Sequence, residues 1–160
     1  SSGKSKLLAW LAALAIIGVG IHYLNFETRK AGSETLASER IEWRAFEGEQ
    51  SLELADQGHT LLLDFTADWC PTCKANEAVA IETDAVGELI RELGVIPLKA
   101  DMTADNPVAS QWVEHYGRVA IPLVVVIPAG RRADAIVLPE VITESMMLDA
   151  LRQAGPSTAP

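Results

Sequence analysis

The chain is poor in cysteine, histidine, aromatic residues and positive charge. It has 160 residues, with two cysteines, three histidines and 6% aromatics. Two cysteines are too few for the disulfide scaffold that small secreted domains build from four or more. Cys70 and Cys73 could form half of a zinc site, but the other half needs two close ligands, and the histidines are scattered at 22, 59 and 115. A metal-binding module is therefore disfavoured, and no metal is expected. Thirteen Lys and Arg against 22 Asp and Glu leave a net charge of −9. That balance argues against a nucleic-acid surface, which needs clustered basic side chains to meet phosphates. The sequence has no internal repeat, and neither a basic patch nor a low-complexity tract follows residue 30.

Apolar residues, by contrast, are plentiful and unevenly spread. Residues 7–24 are 18 positions without a formal charge, enough to span a hydrocarbon core of ~30 Å at ~1.5 Å per residue. Trp10 and Tyr23 stand near the two ends, where amphipathic aromatics favour the interface. The basic segment 1–6, with Lys4 and Lys6, points to a cytoplasmic N-terminus, although Arg29 and Lys30 beyond the far end weigh the other way. The expectation is a retained transmembrane helix at 7–24 followed by a polar linker at 25–40. A cleaved signal peptide is the competing reading, but the run is long for one and no small-x-small cleavage site follows it.

The globular part is expected at 41–153. Ile41–Phe46 alternates apolar and polar, as a half-buried strand does. A short helix over 50–57 ends at Gly58. Residues 60–65 are apolar on both faces apart from Asp64, the pattern of a central strand covered by helices on each side. A helix starts at Pro71, which loses nothing at a first helical position, and its signals continue to about Glu82. Further elements are a helix over 84–93 closed by Gly94, a strand over 95–100 and a helix from Pro107 to Tyr116 capped by Asp105 or Asn106. A strand over 121–127, a short strand over 135–138 and a helix over 144–153 capped by Thr143 complete the order. Residues 154–160 read as a flexible, frayed tail. Alternating strands and helices that finish in a hairpin and a helix predict an α/β fold, a mixed sheet with helices on both faces.

The chemistry concentrates at the strand-to-helix junction that holds both cysteines. A Cys-x-x-Cys pair in that setting reads as a redox site. A thiol at a helix N-terminus has its pKa lowered by the local positive potential and free amides, so Cys70 is the expected attacking sulfur. Cys73, one turn in and more buried, would resolve the mixed disulfide. Asp64 interrupts an apolar strand six residues before Cys70, where an ionisable group is unfavourable unless its pKa rises or a partner is near. It is the expected buried proton acceptor for Cys73. Glu77, four residues after Cys73, shares its helix face and would be a second tuning group. The bland alternative has Asp64 bonded to a backbone group and Glu77 solvated. Pro122 opens a core strand, which a cis Ile121–Pro122 bond would allow by bending the chain beside the sulfurs. His59 and His115 are expected at the surface.

With Asp64, the stretch Trp69-Cys70-Pro71-Thr72-Cys73-Lys74 and Ile121-Pro122 assembled, the chain resembles the thioredoxin superfamily. The stretch 63–70, Lys74, Glu77 and residues 100–104 more narrowly resemble the C-terminal periplasmic domain of the DsbD family of transmembrane thiol:disulfide interchange proteins. That resemblance implies a thioredoxin fold over roughly 41–153 behind a final membrane helix. It implies a protein-disulfide reductase on the periplasmic side of a bacterial inner membrane. Such a domain takes electrons from a membrane donor domain and passes them to periplasmic thiol/disulfide proteins, as in cytochrome c biogenesis. No cofactor beyond the Cys70–Cys73 pair is implied, and Trp69, Pro71, Thr72, Lys74, Ile121 and Pro122 would shape the site. The sequence departs from the family where Leu123 follows the proline in place of the usual Thr, and where Pro71-Thr72 separates the cysteines. Both bear on reduction potential and partner fit, so a thiol oxidase or isomerase of the same fold stands as the alternative direction, with a non-catalytic interaction domain as a further one.

Overall fold

One strand organises the molecule. In the computed structural model, which describes residues 41–159, strand β2 (Leu61–Thr66) has all six of its residues buried. It lies parallel to β3 (Ile96–Asp101) and antiparallel to β4 (Leu123–Ile127). The edges are β1 (Arg44–Ala45), parallel to β3, and β5 (Ile136–Val137), antiparallel to β4, giving the order β1-β3-β2-β4-β5. The expected mixed sheet is therefore present.

Side chains on a strand alternate between faces, and each face of β2 meets a different set of helices. Leu61, Leu63 and Phe65 pack with Leu98, Leu123, Val125 and Ile127 under α1 (Glu49–Asp56) and α4 (Pro107–His115), through Leu52, Ala55, Ala109 and Val113. Leu62 faces the other way with Val124 and Val126. That face is covered by the helix following the cysteines, by α3 (Asp84–Leu93) and by α5 (Glu144–Ala154), through Ile81, Val86, Ile90, Met147 and Leu151. Side-chain oxygens cap three of these helices. Thr83 accepts from the Val86 amide, Asn106 from Ala109 and Thr143 from Met146, so Asn106, not Asp105, caps α4. Gly94 ends α3 in the left-handed conformation (φ 63°), which glycine adopts without a Cβ clash.

The structure differs from the sequence reading at four places. Only Arg44 and Ala45 of the expected strand over 41–46 pair with β3. The Trp43 amide instead bonds back to the Ile41 carbonyl (3.0 Å), and Ile41 and Phe46 enter opposite cores. The helix after the cysteines is α-helical only from Pro71 to Asn76 (α2) and continues as a π-helical turn over Glu77–Ile81. The strand expected from Ile121 starts at Leu123. Residues 155–159, expected to fray, run back across the base of the sheet. There the Ser157 amide donates to the Leu93 carbonyl (2.8 Å), and the Thr158 amide to that of Gly58 (2.7 Å). The Ser157 hydroxyl accepts from the Thr60 amide (2.9 Å) and donates to the Gly94 carbonyl (2.6 Å). Among the described residues no helix is long and apolar enough to cross a membrane; the expected span at 7–24 and the linker at 25–40 lie outside them.

Candidate active site

β2 delivers the chain to the site, and α2 begins on the first cysteine. Cys70 is the N-cap of α2 in extended conformation, and its Sγ accepts from the Cys73 amide (3.3 Å). The two sulfurs form a disulfide with S–S 2.10 Å. Both cysteines are buried, Cys73 slightly the deeper (2% exposed against 5%). They form a small apolar cluster with Ala67, against which Met102 and Ile121 pack. The Ile121–Pro122 bond is cis, and both residues are half-buried. Trp69, Pro71 and Thr72 are exposed around the disulfide. Trp69 is 63% exposed, yet its indole Nε1 donates to the Thr103 carbonyl (3.2 Å) while the Asp68 amide donates to the Thr103 hydroxyl (3.0 Å). The loop after β3 thus fixes the approach to Cys70.

Beneath this surface lies a buried polar layer on the sheet face that α2 covers. Asp64 is 2% exposed, and its Oδ2 has no hydrogen-bond partner among the described residues. Burial pushes its carboxyl up to about 7; the charges of Glu77 and Glu82 act in the same direction, while Lys99 and Lys74 oppose them. The bland reading, a carboxylate bonded to backbone, is not what Oδ2 does. Glu77 is also buried, but it is fully engaged. Its Oε1 accepts from the Thr66 hydroxyl (2.8 Å) and its Oε2 from Lys74 Nζ (3.0 Å). Burial works to raise its pKa, but donation from Lys74, the Lys99 ammonium and the Thr66 hydroxyl outweigh that and hold it below the ordinary carboxylate range. Two carboxyls on one face thus have opposite characters, one able to exchange a proton near neutral pH and one held ionised.

Every expected site residue is in or around this assembly. The sequence reading missed those that complete it. Thr66 holds Glu77; Lys99 contacts Glu77 and Glu82, each at 3.4 Å. Buried Asn76 ties the end of α2 to the loop before α5, donating to the Glu140 carbonyl (2.7 Å) and accepting from the Ile142 amide (3.2 Å). A signal existed for Lys99, the one charged residue in the apolar run from Val95 to Ala100, just as Asp64 stands out in its own strand.

The comparisons with known proteins agree with this geometry. A family model described as thioredoxin-like matches residues 42–129. Thiol:disulfide interchange protein DsbD of Actinobacillus pleuropneumoniae serotype 5b (strain L20) is 33% identical over 92 residues, which are 58% of this chain and 15% of that protein. DsbD of Pseudomonas sp. (strain JR1 / K1) is 34% identical over 64 residues, 40% of this chain and 11% of that protein. This chain therefore spans only a small part of either relative. The oxidised C-terminal domain of Neisseria meningitidis DsbD superposes with a TM-score of 0.53 at 22% identity, covering 69% of this chain and 99% of that one. A thioredoxin from Thermus thermophilus gives 0.54 at 19% identity, covering 71% and 85%. At these identities the two structures speak for the fold.

Proposed function

The chain belongs to the thioredoxin-like family, and from that premise we propose that it is a thiol–disulfide oxidoreductase working through Cys70 and Cys73. The observation that carries this reading is the Cys70–Cys73 disulfide at a helix N-cap, in a fold whose central strand carries the buried and unpartnered Asp64.

In the reducing direction the dithiol form starts the cycle. The Cys70 thiolate, favoured by the α2 amides and positive helix end, attacks one sulfur of a partner disulfide. A Cys70–partner bond forms, the partner's S–S bond breaks, and the released thiolate takes a proton from water. Cys73 then gives its proton to Asp64, and its thiolate attacks Cys70 Sγ. The Cys70–partner bond breaks as Cys70–Cys73 closes, and the second partner sulfur leaves as a thiolate that takes its proton from water. Two electrons pass to the partner, and Asp64 returns its proton to solvent. Trp69, Pro71 and Thr72 are the exposed groups a partner would meet, with Ile121 and Pro122 flanking the sulfurs.

The finer reading is a DsbD-like reductant, tethered through residues 7–24, with its catalytic domain facing the periplasm. It receives electrons from a membrane donor domain and reduces periplasmic thiol/disulfide proteins. Similarity to two DsbD proteins and the uncharged run at 7–24 support it. Insulin reduction by the full chain tests the chemistry: turnover in the wild type that is lost in Cys70→Ser is expected, and turnover that survives Cys70→Ser rejects it. A midpoint potential near the thioredoxin value of about −270 mV supports the reducing direction, whereas one near about −120 mV assigns the chain to oxidation.

A further inference from the structure

Asp64 and Lys99 are cross-strand neighbours in the register of β2 and β3. Paired residues on adjacent strands point to the same face, with strands about 4.8 Å apart. An aspartate and a lysine so placed in a buried layer would ordinarily form an ion pair, which holds a carboxyl ionised well below neutral pH. Here they do not. Lys99 Nζ lies 3.4 Å from Glu77 Oε1 and 3.4 Å from Glu82 Oε1, and 4.6 Å from the centre of the Trp43 ring, while Asp64 Oδ2 has no partner among the described residues. Trp43 and Glu82 are themselves joined, the indole Nε1 donating to Glu82 Oε1 (3.3 Å).

The π turn makes this arrangement possible. An i+5 bond runs from the Glu82 amide to the Glu77 carbonyl (2.7 Å), and both carboxylates reach the same Lys99 ammonium. In an uninterrupted α-helix, at about 100° per residue, they would stand about 140° apart around the axis and could not share one ammonium. Trp43 reaches the same point because the chain turns at Ile41–Trp43 before it joins the sheet edge.

We infer that Glu82 and Trp43 are positioning residues that hold the Lys99 ammonium away from Asp64, leaving that carboxyl free to exchange a proton with the cysteine pair. The inference rests on the redox reading above and adds to it two residues remote from the sulfurs. The charged groups acting on Asp64 are Lys74 and Glu77 from α2 and its continuation, Glu82 at the end of the π turn, and Lys99 from β3. Its neighbour on β4 is Val124, which brings no charge.

The test follows the Asp64 carboxyl carbon by NMR through a pH titration of the oxidised full chain. Freed from its anchors, Lys99 swings to its cross-strand neighbour. The Asp64 midpoint should therefore fall by about 1 on the pH scale, a tenfold change in acidity, in both Glu82→Gln and Trp43→Leu. Trp43→Phe, which keeps a ring under the ammonium, should restore most of the wild-type value. Lys99→Met should raise the midpoint, and adding Glu82→Gln to it should then shift the midpoint less than half as far as Glu82→Gln alone. An unmoved midpoint in Trp43→Leu, or an equal Glu82→Gln shift with and without Lys99, would overturn the inference. Insulin turnover on the same samples separates the two claims. An inactive wild type with the expected shifts rejects the redox reading alone, and an active wild type with unmoved midpoints rejects the inference alone.

Discussion

The two faces of strand β2 are built from alternate residues of one segment, yet they do different work. Leu61, Leu63 and Phe65 enter a cluster of apolar side chains under α1 and α4. Leu62, Asp64 and Thr66 face α2 and its π continuation, where Asp64, Glu77, Lys99 and Glu82 share a half-buried polar layer beside the apolar cluster. Burying an unpartnered carboxyl is unfavourable, and a sheet selected for stability alone would place a hydrophobic side chain there. The difference shows where stability is given up for reactivity, and it can be probed one face at a time.

The largest effect belongs to the sulfurs. Cys73→Ser should stop insulin turnover, with loss of at least about 1000-fold, and leave a mixed disulfide on Cys70 that non-reducing electrophoresis detects, because the resolving thiolate is gone. Next comes the apolar face. Leu63→Ala empties a fully buried site and should lower the unfolding free energy by about 3 kcal/mol in denaturant titration, while turnover per folded molecule stays near wild type. An equal loss of turnover would show that the two faces are not separable.

Asp64→Asn should act in the opposite sense, with a size that depends on pH. The Asp64 carboxyl rises from the ordinary 3.8 to about 7, so the folded state binds a proton more tightly than the unfolded chain. Stability associated with that proton is full below pH 3.8 and is lost as pH rises through 7. Above that window the charged carboxyl destabilises by about 4 kcal/mol, taking 1.36 kcal/mol per unit. A buried amide that replaces it leaves a penalty of about 2 kcal/mol. Unfolding at pH 8 should therefore show Asp64→Asn more stable by about 2 kcal/mol, and at pH 5 the gain should vanish. A gain of the same size at both pH values would contradict the assignment.

The smallest effect is expected at the surface, far from either face. Arg132→Ala removes ion pairs to Glu49 and Asp56 at 2.7 and 3.1 Å. Both carboxylates are largely exposed, so the change should stay within about 1 kcal/mol and diminish with salt.

Much of this was legible in the sequence, and the limits have physical causes. Asp64 stood out because one charge in an apolar strand has few inexpensive explanations, the cysteines and Pro71 marked a strand-to-helix junction, and Pro122 marked the start of a core strand. The partnership of Glu77 with Glu82 was not legible, because it depends on i+5 bonding in a π turn that no local residue pattern announces. Trp43 looked like part of a regular strand until the turn at Ile41 took it out of register. Gly155 and Pro156 signalled a free end, and the bonds that fix 155–159 go to Gly58, Thr60, Leu93 and Gly94, all distant in sequence.

The central claim is that Asp64 takes the proton from Cys73. Single-turnover release of a partner from the Cys70 mixed disulfide, measured from pH 5 to 9, tests it directly. The wild type should show an inflection near 7 that disappears in Asp64→Asn, together with a slowing of about 100-fold at neutral pH. The same profile and rate in both proteins would contradict it.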